Sequence, residues 1–118
     1  MDLSIFSKHE LNFINIQIAL VIKDDEHLKE CIKKYFEENT ELKTITFWDT
    51  TNVKDMNNVF YDRNDFNTLL LWNISNVKDM EVMFFGCKKF NQPLNNWNVN
   101  NVLRKHNMFQ GCTNYKQQ

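Results

Sequence analysis

The side chains best suited to chemistry in this chain are three cysteines, Cys31, Cys87 and Cys112, and three histidines, His9, His27 and His106. A protein zinc site calls for such residues in close pairs, and a nucleophilic thiol needs a base held beside it. Neither arrangement occurs in the spacing. Gly86 and Gly111 are the only glycines and stand far apart, so a nucleophile elbow and a glycine-rich phosphate loop are both excluded. The expectation is a protein without catalytic residue, metal or cofactor, whose histidines are solvated and whose thiols are packed. It is not read as an enzyme.

Tryptophans interleaved with Lys54, Lys78 and Arg104 raise a second chemistry, the stacking of nucleic-acid bases on aromatic rings beside cations. Charge argues against it. The net charge is −1, and from Trp48 onward eight basic residues face six acidic ones. The reading is no nucleic acid. An odd number of widely spaced cysteines fits reduced thiols inside a cell better than a secreted disulfide framework. Cys87 and Cys112 occupy equivalent places in neighbouring repeats, about 5 Å apart if the repeats stack. A bridge on oxidation and a ladder of small core residues both remain open.

Met1-Asp2-Leu3-Ser4-Ile5-Phe6 lacks the positive charge of a secretory signal, and the apolar run Ile18 to Ile22 is too short to span a bilayer. The expected setting is intracellular, cytoplasmic or within a virion, with no membrane partner.

What must position these residues is a repeat. Trp48, Trp72 and Trp97 are spaced 24 and 25 residues apart. At the same offsets follow Val53, Val77 and Val102, then Phe60, Phe84 and Phe109, then Phe66, Phe90 and Tyr115. Asn52, Asn76 and Asn101 precede the valines, and Met56 and Met80 follow the first two. Val53, Met56 and Phe60 fall at i, i+3 and i+7, which predicts a short helix. In that reading Asn52, Asn76 and Asn101 are N-caps and a buried hydrogen-bond ladder, with Asp55 and Asp79 in the first turns. Gly86 would leave the helix in a left-handed conformation. Stretches such as Thr44-Ile45-Thr46-Phe47-Trp48 predict short strands.

A unit of this size cannot bury its own apolar face, so the repeats must stack. The expected fold is α/β: a short leucine-rich-repeat-like solenoid of strand–turn–short-helix coils over 43–118, with an N-terminal strand–helix cap over 1–42, together one domain. In the cap, 13–22 would be a strand and Asp24 would start a helix to about Glu38, with Leu28, Cys31, Ile32, Tyr35 and Phe36 inward. It is either a divergent zeroth coil or an unrelated helical cap.

The segments Trp72-Asn73-Ile74-Ser75-Asn76-Val77-Lys78-Asp79-Met80, Met83-Phe84 and Phe90-Asn91-Gln92-Pro93-Leu94 resemble the roughly 25-residue repeat of Mycoplasma lipoprotein-associated and BspA-like surface proteins. Trp48 to Phe66 matches nearly as well, and Trp97 to Tyr115 more loosely. The resemblance implies a leucine-rich-repeat-like solenoid without catalytic residues, used in adhesion or protein contact on bacterial and protist surfaces or in large DNA viruses. On this reading the chain is expected to lack the signal and lipoprotein cysteine of the surface members.

Function is therefore expected to be non-enzymatic protein–protein interaction on a rigid ladder of Trp48, Trp72, Trp97, Val53, Val77, Val102, Phe60, Phe84 and Phe109. The alternative is a structural or virion-associated subunit that oligomerises through its coil ends, where Trp97, Val102, Met108 and Phe109 would be open. The partner's identity is not legible.

Overall fold

The computed structural model describes residues 20–38 and 45–116. The expected strand at 13–22 lies outside them except for its last three residues, of which Val21 makes a single parallel bridge to Asp49. Helix α1 spans Asp25–Glu38. Asp24 starts it: its Oδ1 accepts the His27 N–H at 2.8 Å and its carbonyl accepts the Leu28 N–H at 3.1 Å. Asp25 and Glu26 follow in the first turn, where the helix dipole favours negative charge. The helix buries Leu28, Cys31 and Ile32, half-buries Tyr35 and Phe36, and leaves Lys29, Lys33, Lys34 and Glu37 in water.

The repeats do not have the expected α/β make-up. Among the described residues α1 is the one α-helix, and no strand or sheet forms. Parallel pairing is limited to three isolated bridges, Val21 with Asp49, Asp55 with Asp79, and Asp79 with Arg104. The chain is therefore not a strand-rich, leucine-rich-repeat-like solenoid. Each repeat is instead a succession of tight turns.

The cause lies in backbone conformations that recur with the repeat. Asn58, Val82 and Asn107 have φ of 62°, 50° and 55°, and four residues later Asp62, Gly86 and Gly111 have φ of 59°, 75° and 82°. A left-handed residue cannot continue a right-handed helix, nor an extended strand. Between these points the chain closes i+3 to i turns, such as Val59 N–H to the Met56 carbonyl, Tyr61 to Asn58 and Arg63 to Phe60. Successive turns carry Val53, Met56 and Phe60 inward, so they satisfy the 3, 4 spacing that predicted a helix.

The other half of the backbone groups joins one repeat to the next. The N–H groups of Met56, Asn58, Phe60 and Asp62 donate to the carbonyls of Asp79, Glu81, Met83 and Phe85 at 2.6–3.2 Å. Met80, Val82, Phe84 and Gly86 donate in the same way to Arg104, His106, Met108 and Gln110 at 2.7–3.0 Å. Alternate N–H groups thus close turns within a coil while the rest reach the next coil. This is how a segment with no regular structure satisfies its buried polar backbone.

Side chains stack in register with that ladder. Trp48 lies over Trp72 with ring centroids 6.0 Å apart and planes 8° from parallel. Phe60, Phe84 and Phe109 form a column with 5.4 Å between successive rings. Phe66, Phe90 and Tyr115 form a second column at 5.9 and 5.8 Å. Within a coil the columns touch, as Phe60 does Phe66 at 4.1 Å. One core cluster joins α1 to all three repeats.

Candidate interaction surface

The residues that repeat are mostly spent on this core. Trp48, Trp72, Trp97, Val53, Val77, Val102, Phe60 and Phe84 are buried, and Phe109 in the last coil is half-buried. Burial removes the indoles as base-stacking platforms. The Trp72 Nε1–H donates to the Ile45 carbonyl at 2.7 Å, whereas those of Trp48 and Trp97 are buried without a partner among the described residues.

Asn52, Asn76 and Asn101 do not play the expected part. All three are exposed, no helix begins beside them, and they form no buried ladder. Of their side chains only that of Asn76 reaches another coil, donating to the Thr51 carbonyl at 2.7 Å. Turn formation falls to the residue after each tryptophan. Asp49, Asn73 and Asn98 accept through their side chains from the N–H two residues on, at 3.0 Å in every coil. Asp55 and Asp79 do the same for Asn57 and Glu81, in place of the helix-dipole role expected of them. Bonds from Thr51, first the hydroxyl and then the N–H, hold the Asp49 carboxyl below its ordinary range. The asparagine side chains that accept a backbone N–H from the next coil are Asn67 and Asn91, from Asn91 and Lys116 at 2.9 Å. Their 24-residue spacing was the signal in the sequence.

The thiols of Cys31, Cys87 and Cys112 are free and buried. Cys87 Sγ donates to the Phe60 carbonyl at 2.9 Å and Cys112 Sγ to the Phe84 carbonyl at 2.8 Å, so each ties its coil to the one before. Burial above all, then the neighbouring Cys112, pushes the Cys87 thiol up to about 12. Such a group is protonated and inert at neutral pH. The first coil has Arg63 at this place, its guanidinium 4.0 Å above the Phe36 ring.

Among the described residues no group of histidine, cysteine, aspartate and glutamate is placed to hold a metal, and no helix is long and apolar enough to cross a membrane. Apart from recurring polar residues such as Asn52, Asn76 and Asn101, what faces water is largely the variable part of each repeat. It includes large apolar side chains: Val21, Phe47, Tyr61, Leu71 and, 81% exposed, Leu103. Tyr61 stacks on half-buried Phe85 at 5.0 Å across the outside of the first two coils.

Charge is divided along the stack. All 15 acidic residues lie at or before Glu81, and beyond it come Lys88, Lys89, Arg104, Lys105 and Lys116 with no acid among them. Lys89 pairs with Asp65 at 3.2 Å across an exposed surface, a contact of small energetic weight.

Compared with known protein families, residues 30–118 match the model described as "Mycoplasma protein of unknown function, DUF285". No curated protein and no solved structure matches the chain.

Proposed function

The chain belongs to the DUF285 family of Mycoplasma proteins of unknown function, and we propose that it is a non-enzymatic protein–protein interaction module of stacked repeats, related to the BspA-like surface proteins. The observation that carries this reading is the division of labour within the repeat. The aromatic and aliphatic side chains that recur are turned inward and consumed by packing, while many outward positions, Asn52, Asn76 and Asn101 apart, differ from coil to coil. A rigid scaffold with a variable surface suits recognition of another protein, because little conformational entropy is lost there on binding. The exposed Leu103, Phe47 and Leu71 supply apolar contact area on that surface.

Cross-linking and affinity capture of the full chain from its native context tests the reading. A stoichiometric protein partner, lost when exposed repeat positions are changed, is the expected result. A chain that captures no protein overturns it. A structural subunit that assembles through its coil ends is the second reading, favoured by the high exposure of Leu103 in the last coil. Light scattering at micromolar concentration separates the two, since a strict monomer excludes self-assembly.

A further inference from the structure

We infer that the edge of the last coil from Lys105 to Gly111 receives an acidic, extended segment of a partner protein, which adds to the stack as one more rung. This deepens the interaction-module reading and rests on it. Backbone polarity carries the argument. The N–H groups of Met56, Asn58, Phe60 and Asp62 point to the second coil, and those of Met80, Val82, Phe84 and Gly86 to the third. Their counterparts in the third coil are Lys105, Asn107, Phe109 and Gly111, of which Asn107 and Gly111 keep the left-handed φ of their equivalents. Among the described residues these four N–H groups have no acceptor. They form a row of donors along one edge, the situation in which an added chain pairs through its carbonyls.

Charge and surface define what fits. Arg104, Lys105, His106 and Lys116 are exposed around this edge, and the sequence holds no acidic residue after Glu81. The floor is apolar. Phe109 and Tyr115, 4.2 Å apart, end the two aromatic columns with no ring stacked beyond them among the described residues. The matching segment offers carbonyls at alternate residues, carboxylates for Arg104 and Lys105, and apolar side chains for Phe109 and Tyr115.

A second copy fits poorly. Two such edges related by a two-fold axis would set donors against donors and positive charge against positive charge. Head-to-tail pairing would need the carbonyls of Asp55, Asn57, Val59 and Tyr61, but α1 lies along that side. Asp25 Oδ1 accepts the N–H of Lys54 and Asp55 at 2.8 and 3.2 Å, and Phe36 packs 6.3 Å from Phe60 and under Arg63.

The test is amide hydrogen exchange on the full chain with a synthetic peptide of alternating glutamate and valine. Exchange at Lys105, Asn107, Phe109 and Gly111 is expected to slow about tenfold or more at saturation, with a lysine–valine peptide giving no effect. The charge-swapped R104E/K105E chain, its other amides unchanged, should reverse that preference. Protection of the four amides in the free chain, protection that grows with chain concentration alone, or equal protection by RNA would each overturn the proposal. So would a cellular partner captured equally by R104E/K105E, although the module reading would then stand. Full peptide protection with no partner captured supports the edge and counts against the module reading alone.

Discussion

Gly86 stands directly over Asp62 of the preceding coil, so closely that a Cβ on the glycine would lie 2.8 Å from the Asp62 Oδ1 and 3.3 Å from its Cα. Both residues are left-handed and occupy the same place in the repeat. The contact allows the Gly86 N–H to continue to the Gln110 carbonyl at 2.8 Å while Asp62 N–H meets Phe85. Gly86→Ala meets strain and a backbone contact together, and a loss of about 1–3 kcal/mol is expected from urea unfolding. Gly111→Ala, whose Cβ would lie 3.2 Å from Gly86 Cα at φ 82°, should act in the same direction. Wild-type stability for Gly86→Ala would contradict the tight stacking of these two coils.

Val82 offers the opposite opportunity. It is a β-branched residue at φ 50°, where the first and third coils place Asn58 and Asn107. Asparagine tolerates this conformation far better than valine. Val82 is only half-buried, so little apolar contact is at stake. Val82→Asn should raise stability by about 1 kcal/mol, read as a higher urea midpoint at unchanged slope. A lower midpoint would show that the contacts of the isopropyl group outweigh the backbone strain.

Trp72 sits at the centre of the stack, parallel to Trp48, tilted 34° against Phe60 at 5.7 Å, and bonded to the Ile45 carbonyl. Trp72→Ala opens a cavity between coils and leaves that carbonyl with only the longer bond from the Trp48 N–H at 3.3 Å, for an expected cost of about 3–5 kcal/mol. Lys88→Ala, on the exposed face of the same coil, should cost less than about 0.5 kcal/mol. Thermal or urea unfolding of the pair measures both. Equal losses would mean that the packing of the Trp72 indole is not what holds the coils together.

The difference between these positions was legible in the sequence, because stacking in register demands the same side chain at the same offset. Trp48, Val53, Phe60 and Phe66 could therefore be followed through all three coils and placed in the core. Helix α1 was legible too, from Asp24 and the inward face of Leu28, Cys31 and Ile32. The conformation of the coils was not. A spacing of i, i+3 and i+7 is met equally by a helix and by consecutive three-residue turns, and side-chain periodicity does not distinguish them. The deciding residues were Asn58, Asp62 and Asn107, whose types tolerate positive φ, and Val82, whose type gives no such sign. The asparagines were misplaced for a related reason. Asn52, Asn76 and Asn101 repeat as regularly as Asn67 and Asn91, but only the latter lie where a side chain meets a backbone N–H of the adjoining coil.

The thiol ladder makes stability fall at high pH. Burial, reinforced by Cys112, raises the Cys87 pKa from an ordinary 9.0 to about 12, and burial also raises Cys31, Cys112 and Tyr115. An acid whose folded pKa is raised favours its protonated form in the fold, so the unfolded chain releases the proton first. The contribution of Cys87 is therefore fully present below pH 9 and is lost as pH climbs toward 12. Cys87→Ala removes the buried thiol and its bond to the Phe60 carbonyl, and at pH 7 should cost about 1–2 kcal/mol. Because the variant has no thiol to ionise at this position, its deficit against wild type should narrow steadily above pH 9. Groups common to both chains cancel in the comparison. Urea unfolding of the two proteins across pH 7 to 11 reads the difference directly, and two curves that stay parallel would show that the Cys87 thiol ionises in the fold as easily as in the open chain.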